Sequence, residues 1–334
     1  MNCKRTAGTA ATADNAEHPD VAVVGETNPD FILHGLPHEL PDERELLASG
    51  CELMLGSSSA IFAHNLSVLG TKVTFSSRVG KDLFGDLCLQ ALYNAGVDVR
   101  HVVRAEESRT GVTVILPGPH ARRILTYPGA MFEMGLADLD LDFIARAKHF
   151  HLSSVFLHRK LFPDVPELFC QMKRQGLTTS LDTNDDPDDR WLSVVDNILP
   201  YVDILFCTED ELRKLAKAED DERLISSRVP ILVVKRGSRG ASVFAEGRRL
   251  DRPALSVELV DAVGAGDTFD AGFLHQWLRK EPLETCLAFG NFAGGLSVTR
   301  PGGTAAFCDA DYRQDFLQRY WGNLPKASGQ CTGR

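Results

Sequence analysis

The chain has 334 residues, 43% of them hydrophobic and 25% charged, which is the composition of a folded globular protein and excludes a disordered or fibrous one. Its 36 basic and 46 acidic side chains leave a formal charge of −10, which argues against a general nucleic-acid-coating role. No apolar run reaches the ~18–20 residues of a membrane-spanning helix, so neither nucleic acid nor membrane is expected as a partner.

Residues 1–19 are rich in Ala, Thr and Asn, lack the apolar core of a secretory signal, and read as a flexible tail. Val21–Val24 is a short buried strand ending at Gly25. Phe31–Leu36, broken by Gly35 and followed by Pro37, reads as an edge strand or lid piece. Ser58–Leu69 is apolar enough for a buried helix closed by Gly70. A strand over Val73–Ser76, a helix over Asp86–Asn94 stopped by Gly96, and an extended stretch over Val97–Val103 follow. Val112–Leu116 and Arg123–Thr126 flank Pro117-Gly118-Pro119, the pattern of a hairpin.

After Leu136 helices alternate with short apolar strands. The expected order is helix 138–147, strand His149–Leu152, helix 163–175, then strands Thr178–Leu181 and Ile204–Phe206. Helix 209–217 and strands Ile231–Val234 and Ala241–Phe244 complete it. This alternation predicts a parallel sheet wrapped by helices, an α/β fold. The acidic patch at 185–189 reads as a solvated loop. The eight cysteines are scattered without a C-x-x-C, so reduced thiols in a cytoplasmic protein are expected rather than a zinc or redox site.

The segment Asp261-Ala-Val-Gly-Ala-Gly-Asp267-Thr-Phe-Asp-Ala-Gly-Phe273 is the sharpest in the chain. Gly264, Ala265 and Gly266 are small enough to let backbone N–H groups approach an anion, and the helix-compatible run behind them adds the positive end of a helix dipole. Read locally, Asp267 is either a first-turn acid with a chemical role or a plain cap on a Gly-rich turn. The segment is not a Walker A loop, and Phe269 breaks the G-x-G-x-x-G fingerprint of dinucleotide binding.

This segment resembles the second signature of the PfkB-type carbohydrate kinases, the ribokinase-like family: six of seven positions of Asp-Thr-x-Gly-Ala-Gly-Asp agree, with Ala262 in place of Thr. Gly25-x-x-Asn28-x-Asp30 resembles the family's opening strand and sugar-binding turn, and Gly56-Ser-Ser-Ser-Ala60 occupies its Gly-Gly motif. Gly80-Lys-Asp82-x-x-Gly85 resembles the first signature region. Thr208-x-x-Glu211, Lys235-Arg-Gly237-x-x-Gly240 and Asn291 to Gly303 follow in the family's order. The resemblance spans residues 20–318 and implies one kinase domain: a three-layer α/β/α sandwich with a mainly parallel central sheet. Its small β-sheet lid would be built near 31–36, 112–116 and 123–126, with a tail at 319–334.

By resemblance, ATP phosphorylates a hydroxyl of a small sugar. Asp267 is the general base, and the amides of Gly264, Ala265 and Gly266 form the anion hole. Asn28, Asp30, Gly56, Ser57 and Ser58 would bind the sugar, and Thr208, Lys235, Gly237, Gly240 and Asn291 the nucleotide. Glu211 would hold Mg²⁺ through water, and Asp261 a monovalent cation such as K⁺. Relatives pair lids, so Phe31, Ile32 and Leu33 point to a homodimer. Ser57 stands in place of the second Gly, Thr208 in place of Asn, and Ser58 and Ile61 where ribokinase proper has Lys and Asn. A nucleoside kinase of the same family and a non-catalytic sugar- or nucleotide-binding relative remain the alternatives.

Overall fold

The computed structural model describes residues 18–37, 39–118, 122–191, 195–216 and 221–322. Strand β1 (Val21–Val24) is enclosed on both faces. Val21 and Val23 pack with Phe62, Leu66 and Phe273 on one side. Ala22 and Val24 pack with Leu168, Phe169 and Leu212 on the other. The helices supplying these side chains, Ser58–Val68 and Ala265–Trp277 on one face and Val165–Arg174 and Glu209–Ala216 on the opposite one, make the outer layers. A strand buried on both faces carries a continuous apolar run, which is why Val-Ala-Val-Val is legible as a central strand.

β1 lies between β4 (Val73–Gly80) and β8 (His149–Ser153), parallel to both. Past β8 come β9 (Thr178–Asp182), β10 (Ile204–Thr208) and β11 (Ile231–Lys235), all parallel. Antiparallel β12 (Ala241–Ala245) and β13 (Arg248–Arg252) close that edge, and β5 (Val102–Ala105) forms the other. The chain runs from β1 to β4 and β5 on one side and returns at β8 on the other. A crevice therefore opens beyond the carboxyl ends of β1 and β8, where such sheets bind ligands.

A second, four-stranded sheet stands over that crevice: β3 (Gly50–Leu55), β2 (Pro29–His34), β6 (Val112–Leu116) and β7 (Arg123–Tyr127), in that order. β2 is antiparallel to β3 and parallel to β6, and β6 and β7 form the expected hairpin. Pro119 of the expected turn lies outside the described residues. The register puts Asp30, Thr113 and Thr126 side by side on the crevice face, and Phe31, Val114 and Leu125 on the other.

Several expectations shift. The helix expected over 138–147 is a short turn at Leu136–Asp138 followed by a single helical turn at Leu141–Ile144. Asp138 accepts the Gly135 N–H and Asp140 the Phe143 N–H, so two local caps break the segment in two. The extended stretch at 97–103 becomes a strand only from Val102, because Val102 N–H first turns back onto Val99 O. The sequence marks neither β3 nor β13 as a strand: β3 is a partly exposed edge strand with no apolar–polar alternation in its sequence, and Arg248–Arg252 is nearly all charged, as an exposed edge strand tolerates. Residues 319–321 of the expected C-terminal tail instead belong to the folded body, since they are helical and Trp321 packs edge-on against Phe289 at 4.6 Å. Residues 1–17 and 323–334 of the two expected tails lie outside the described residues. The six described cysteines are unpaired.

Phe273 ties helix Ala265–Trp277 to the sheet. It is fully buried and meets Phe206 edge-on at 5.5 Å. Phe273→Ala removes that contact and leaves a cavity, so chemical denaturation should show a loss of about 3–5 kcal/mol. A loss under about 1 kcal/mol would mean the helix is held elsewhere.

Candidate active site

The loop after β1 carries Gly25 to Asp30 into the crevice. Asn28 is buried, and its side chain is fully engaged: Nδ2 donates to Thr113 Oγ1 at 3.0 Å and to Pro29 O at 3.1 Å, while Oδ1 accepts from Ser57 Oγ at 2.6 Å. Asn28 N–H in turn donates to Ser57 Oγ at 3.0 Å. Ser57 has φ +69, the left-handed region that favours glycine. It stands at the N-cap of helix Ser58–Val68, but its hydroxyl does not cap that helix. Its two bonds to Asn28 offset a backbone cost of about 1–2 kcal/mol. The structure thus explains how Ser substitutes for glycine here.

Asp30 opens the lid strand and is buried. Its carboxyl lies against Gly56, where an added Cβ would fall 2.0 Å from Oδ1, so any side chain at position 56 would displace the Asp30 carboxyl. Burial first, then the neighbouring Asp267, push Asp30 up to about 7. Glu26, not singled out from the sequence, forms part of the floor. It is buried, accepts Ser59 Oγ at 2.7 Å and lies 3.4 Å from His158.

Asp267 enters from the opposite wall, in the first turn of helix Ala265–Trp277. Gly264 at its N-cap has φ +69 and packs so closely on Gly303 that an added Cβ would come within 2.6 Å of its Cα. Asn65 and Thr268, also missed, lock this loop: Asn65 Nδ2 donates to Gly303 O and Thr268 Oγ1, and Thr268 Oγ1 donates to Gly264 O at 2.6 Å. Of the expected anion-hole amides, Ala265 N–H is turned back onto Ala262 O. The N–H groups of Gly266 and Asp267 have no hydrogen-bond partner among the described residues. Burial, with Asp182 next, pushes Asp267 up to about 7, and the nearby Ser58 hydroxyl works against that shift. A carboxyl poised near neutrality beside free backbone amides can take a proton from a hydroxyl while the amides hold an anion.

The residues expected on the nucleotide side divide. Lys235 points into the protein: Nζ lies 2.7 Å from Asp182 and 2.8 Å from Asp270, under the Gly266 backbone. Burial opposes its charge, but Asp182, Asp270 and Glu211 hold the ammonium well above the usual lysine range. Thr208 and Glu211 form a capping box, Thr208 N–H donating to Glu211 Oε2 at 2.7 Å and Glu211 N–H to Thr208 Oγ1 at 3.2 Å. Burial and then Asp182 raise the Glu211 carboxyl. Gly237 and Gly240 shape the turn between β11 and β12. Asn291 Nδ2 donates to Arg252 O and Pro253 O and borders a cavity of about 690 Å³, lined also by Leu255, Ala288 and Trp321. Asp261 accepts Val263 N–H at 3.0 Å and Gly302 N–H at 2.8 Å, joining the loops at 261–264 and 298–303. Among the described residues, no three His, Cys, Asp or Glu side chains converge to hold a metal by themselves.

A model of the pfkB family carbohydrate kinases matches residues 18–309. The chain is 31% identical over 255 residues to an ATP-dependent ribose-1-phosphate kinase of Halopiger xanaduensis, covering 75% of this chain and 82% of that one. It is 26% identical to a nucleoside kinase of Methanothermobacter thermautotrophicus, covering 93% and 99%. Among solved structures, it is similar to a putative ribokinase II from E. coli in complex with ATP and Mg²⁺. There the TM-score is 0.79 and the identity 24%, over 90% of this chain and 99% of that one.

Asp30 and Asp267 bind protons more tightly in the folded than in the unfolded chain, since both rise from 3.8 to about 7. Their contribution to stability is therefore full below pH ~4 and is lost as pH rises through about 7. The melting temperature of the ligand-free protein should fall between pH 5 and pH 8 relative to an Asp30→Asn/Asp267→Asn double variant. Parallel pH curves for the two proteins would show that neither carboxyl is raised.

Proposed function

Because this chain belongs to the pfkB family of carbohydrate kinases, and is thereby a phosphotransferase with a hydroxyl acceptor, we propose that it moves the γ-phosphoryl group of ATP to a hydroxyl of a small sugar, with Asp267 as the general base. The observation that carries the reading is the Asp267 carboxyl, held near 7 beside the unpartnered amides of Gly266 and Asp267. A sugar hydroxyl is a weak nucleophile, and a base of that strength relieves it of its proton as it attacks. The amides then meet the charge of the transferring group. Asp30, Gly56 and Ser58 would hold the sugar from the other wall, while Asn28 and Ser57 brace that wall. The groups around Asp267 are small and polar — Ser58, Asn184, Glu26 and Asp30 — which favours a sugar over the flat base of a nucleoside.

The adenosine half of ATP fits the cavity beside Asn291, with Gly237 on the turn that borders the phosphates. Magnesium holds its own waters tightly, so a single carboxylate oxygen suffices in the outer shell. Glu211 spends one oxygen on Thr208 N–H and has the other to offer. Mg²⁺ held there would neutralise charge at the phosphates. For K⁺, Asp261 supplies a carboxylate between two loops rich in backbone carbonyls. No helix among the described residues is long and apolar enough to cross a membrane, and a reducing, ATP-rich compartment such as the cytoplasm suits an enzyme whose six described cysteines are free.

The lid suggests a homodimer. Phe31, Leu33, Leu53, Val114, Leu125 and Tyr127 share its outward face, and Leu53, Leu125 and Tyr127 are more than 40% exposed. Ile32, grouped with Phe31 and Leu33 in the sequence, instead faces inward and is fully buried. Light scattering at tens of micromolar should give a dimer that Leu53→Glu/Leu125→Glu converts to a monomer. A monomeric wild-type protein at that concentration would rule the pairing out.

Assays with ATP against a panel of sugars and nucleosides identify the acceptor. On that acceptor, Asp267→Asn should fold normally and lose roughly 10²–10⁴ in kcat, with ATP affinity little changed. Asp30→Asn should instead act mainly on the acceptor KM. Retention of most of the kcat by Asp267→Asn would remove Asp267 as the base.

A further inference from the structure

Asn184 lies in the loop after β9, immediately before the acidic patch at 185–189 that the sequence suggests is only a solvated turn. Its backbone has φ +52. Ser58 Oγ donates to Asn184 Oδ1 at 3.2 Å, and the same hydroxyl lies close enough to the Asp267 carboxyl to favour its ionised form. Asn184 Nδ2 is sealed from water and has no hydrogen-bond partner. The backbone N–H of Asn184 reaches back to Asp182 Oδ1 at 3.4 Å.

A serine hydroxyl has one proton to give. While Ser58 gives it to Asn184, Asp267 finds only lone pairs there, an arrangement that suits a protonated carboxyl. An ionised carboxylate needs the proton itself. A half-turn of the Asn184 amide supplies it. The NH₂ group then donates to Ser58 Oγ, Ser58 donates to Asp267, and the unpartnered nitrogen gains an acceptor. The carbonyl oxygen takes the enclosed position, where a missing partner costs less than for a donor.

We propose that Asn184 is a positioning residue for the catalytic base, acting through Ser58: its amide turns as Asp267 ionises, so that the chain Asn184 Nδ2–H to Ser58 Oγ–H to Asp267 stabilises the carboxylate that accepts the substrate proton. The proposal rests on Asp267 being that base. The other charged groups facing Asp267 are Asp182 from β9, Lys235 from β11, and Glu26 and Asp30 from the loop after β1. None of them is altered by the variants below.

The test is a pH titration of the ligand-free protein with ¹³C-carboxyl-labelled aspartate, in which the Asp267 resonance is the one missing from Asp267→Asn. Asn is common at left-handed positions for purely conformational reasons, and Asn184→Gly separates that role from the proposed one. Glycine adopts φ +52 without strain, so the melting temperature should hold or rise. The Asp267 midpoint should nevertheless move up by about half a pH unit or more, as a hydrogen bond to a charged group is lost or weakened. Ser58→Ala should move it in the same direction, and the double variant no further than Ser58→Ala alone, because the two act in series. The acid limb of kcat/KM should follow. An unmoved midpoint in folded Asn184→Gly, or shifts that add in the double variant, would overturn the proposal. Failure of Asp267 as base appears separately, as an Asp267→Asn enzyme that keeps its kcat.

Discussion

Lys235 Nζ, at the end of β11, sits 2.7 Å from Asp182 at the end of β9 and 2.8 Å from Asp270 in helix Ala265–Trp277. Buried charges must be paired or they unfold their surroundings. This ammonium therefore fixes three elements relative to one another. Asp270 lies one helical turn from Asp267, so the pairing that satisfies Lys235 also sets how far Asp267 projects into the crevice. Burial works against Asp182, yet Lys235 holds it ionised, while burial and Asp182 raise Asp270 far above its usual range. Asp267 is next in line: part of its upward push comes from Asp182.

That cluster shows where sequence reasoning reaches its limit. The Gly264-Ala-Gly-Asp267 loop was legible because its residue types are tied to local backbone demands, and Gly264 does adopt the left-handed conformation. The alternation after Leu136 was legible because strands buried on both faces must be apolar throughout. Asp182, Asp270 and Glu26 were not. Each is a carboxylate whose partner lies far along the chain, and no periodicity marks such a pairing. Lys235 was assigned to the nucleotide for the same reason: the sequence shows a lysine beside a glycine turn, and only the fold shows two aspartates beneath it. Asn65 and Thr268, 203 residues apart, lock the Gly264–Asp267 loop through a contact equally invisible in sequence. Thr208-x-x-Glu211 is the reverse case. Its spacing is that of a helix capping box, and the structure forms one.

The crevice is rich in carboxyl groups: Asp182, Glu211 and Asp270 surround Lys235, while Asp267 at the helix N-terminus is repelled by Asp182 and Glu26 and in turn raises Asp30. A triphosphate entering such a site meets repulsion unless positive charge accompanies it. In the proposed mechanism the backbone amides, the helix dipole and Mg²⁺ supply that charge. The raised carboxyls reduce the repulsion further, since a group titrating near 7 is only partly ionised at neutral pH. In that proposed mechanism the same burial would serve two ends, leaving Asp267 only partly charged beside the nucleotide and basic enough to take a proton from a hydroxyl.

The floor and the lid are joined through Asn28. Ser57, at the start of helix Ser58–Val68, bonds to Asn28, and Asn28 bonds to Thr113 in β6. Thr113 meets Thr126 in β7 at 3.1 Å. This chain of short polar contacts spans from the core helix to the outermost strand of the small sheet. It fixes the height at which β2 leaves the core, and Asp30 is the second residue of that strand. A displacement of the lid therefore moves the Asp30 carboxyl, and a sugar hydroxyl held by Asp30 bears in turn on the lid. Position 57 is where this coupling meets the backbone. A glycine there would relax more easily, whereas serine, held at φ +69 by its own bonds to Asn28, makes the joint stiff. In this chain the crevice wall that carries Asp30 and the lid are one mechanical unit, and Ser57, one of the side chains that depart from the family pattern, binds them together.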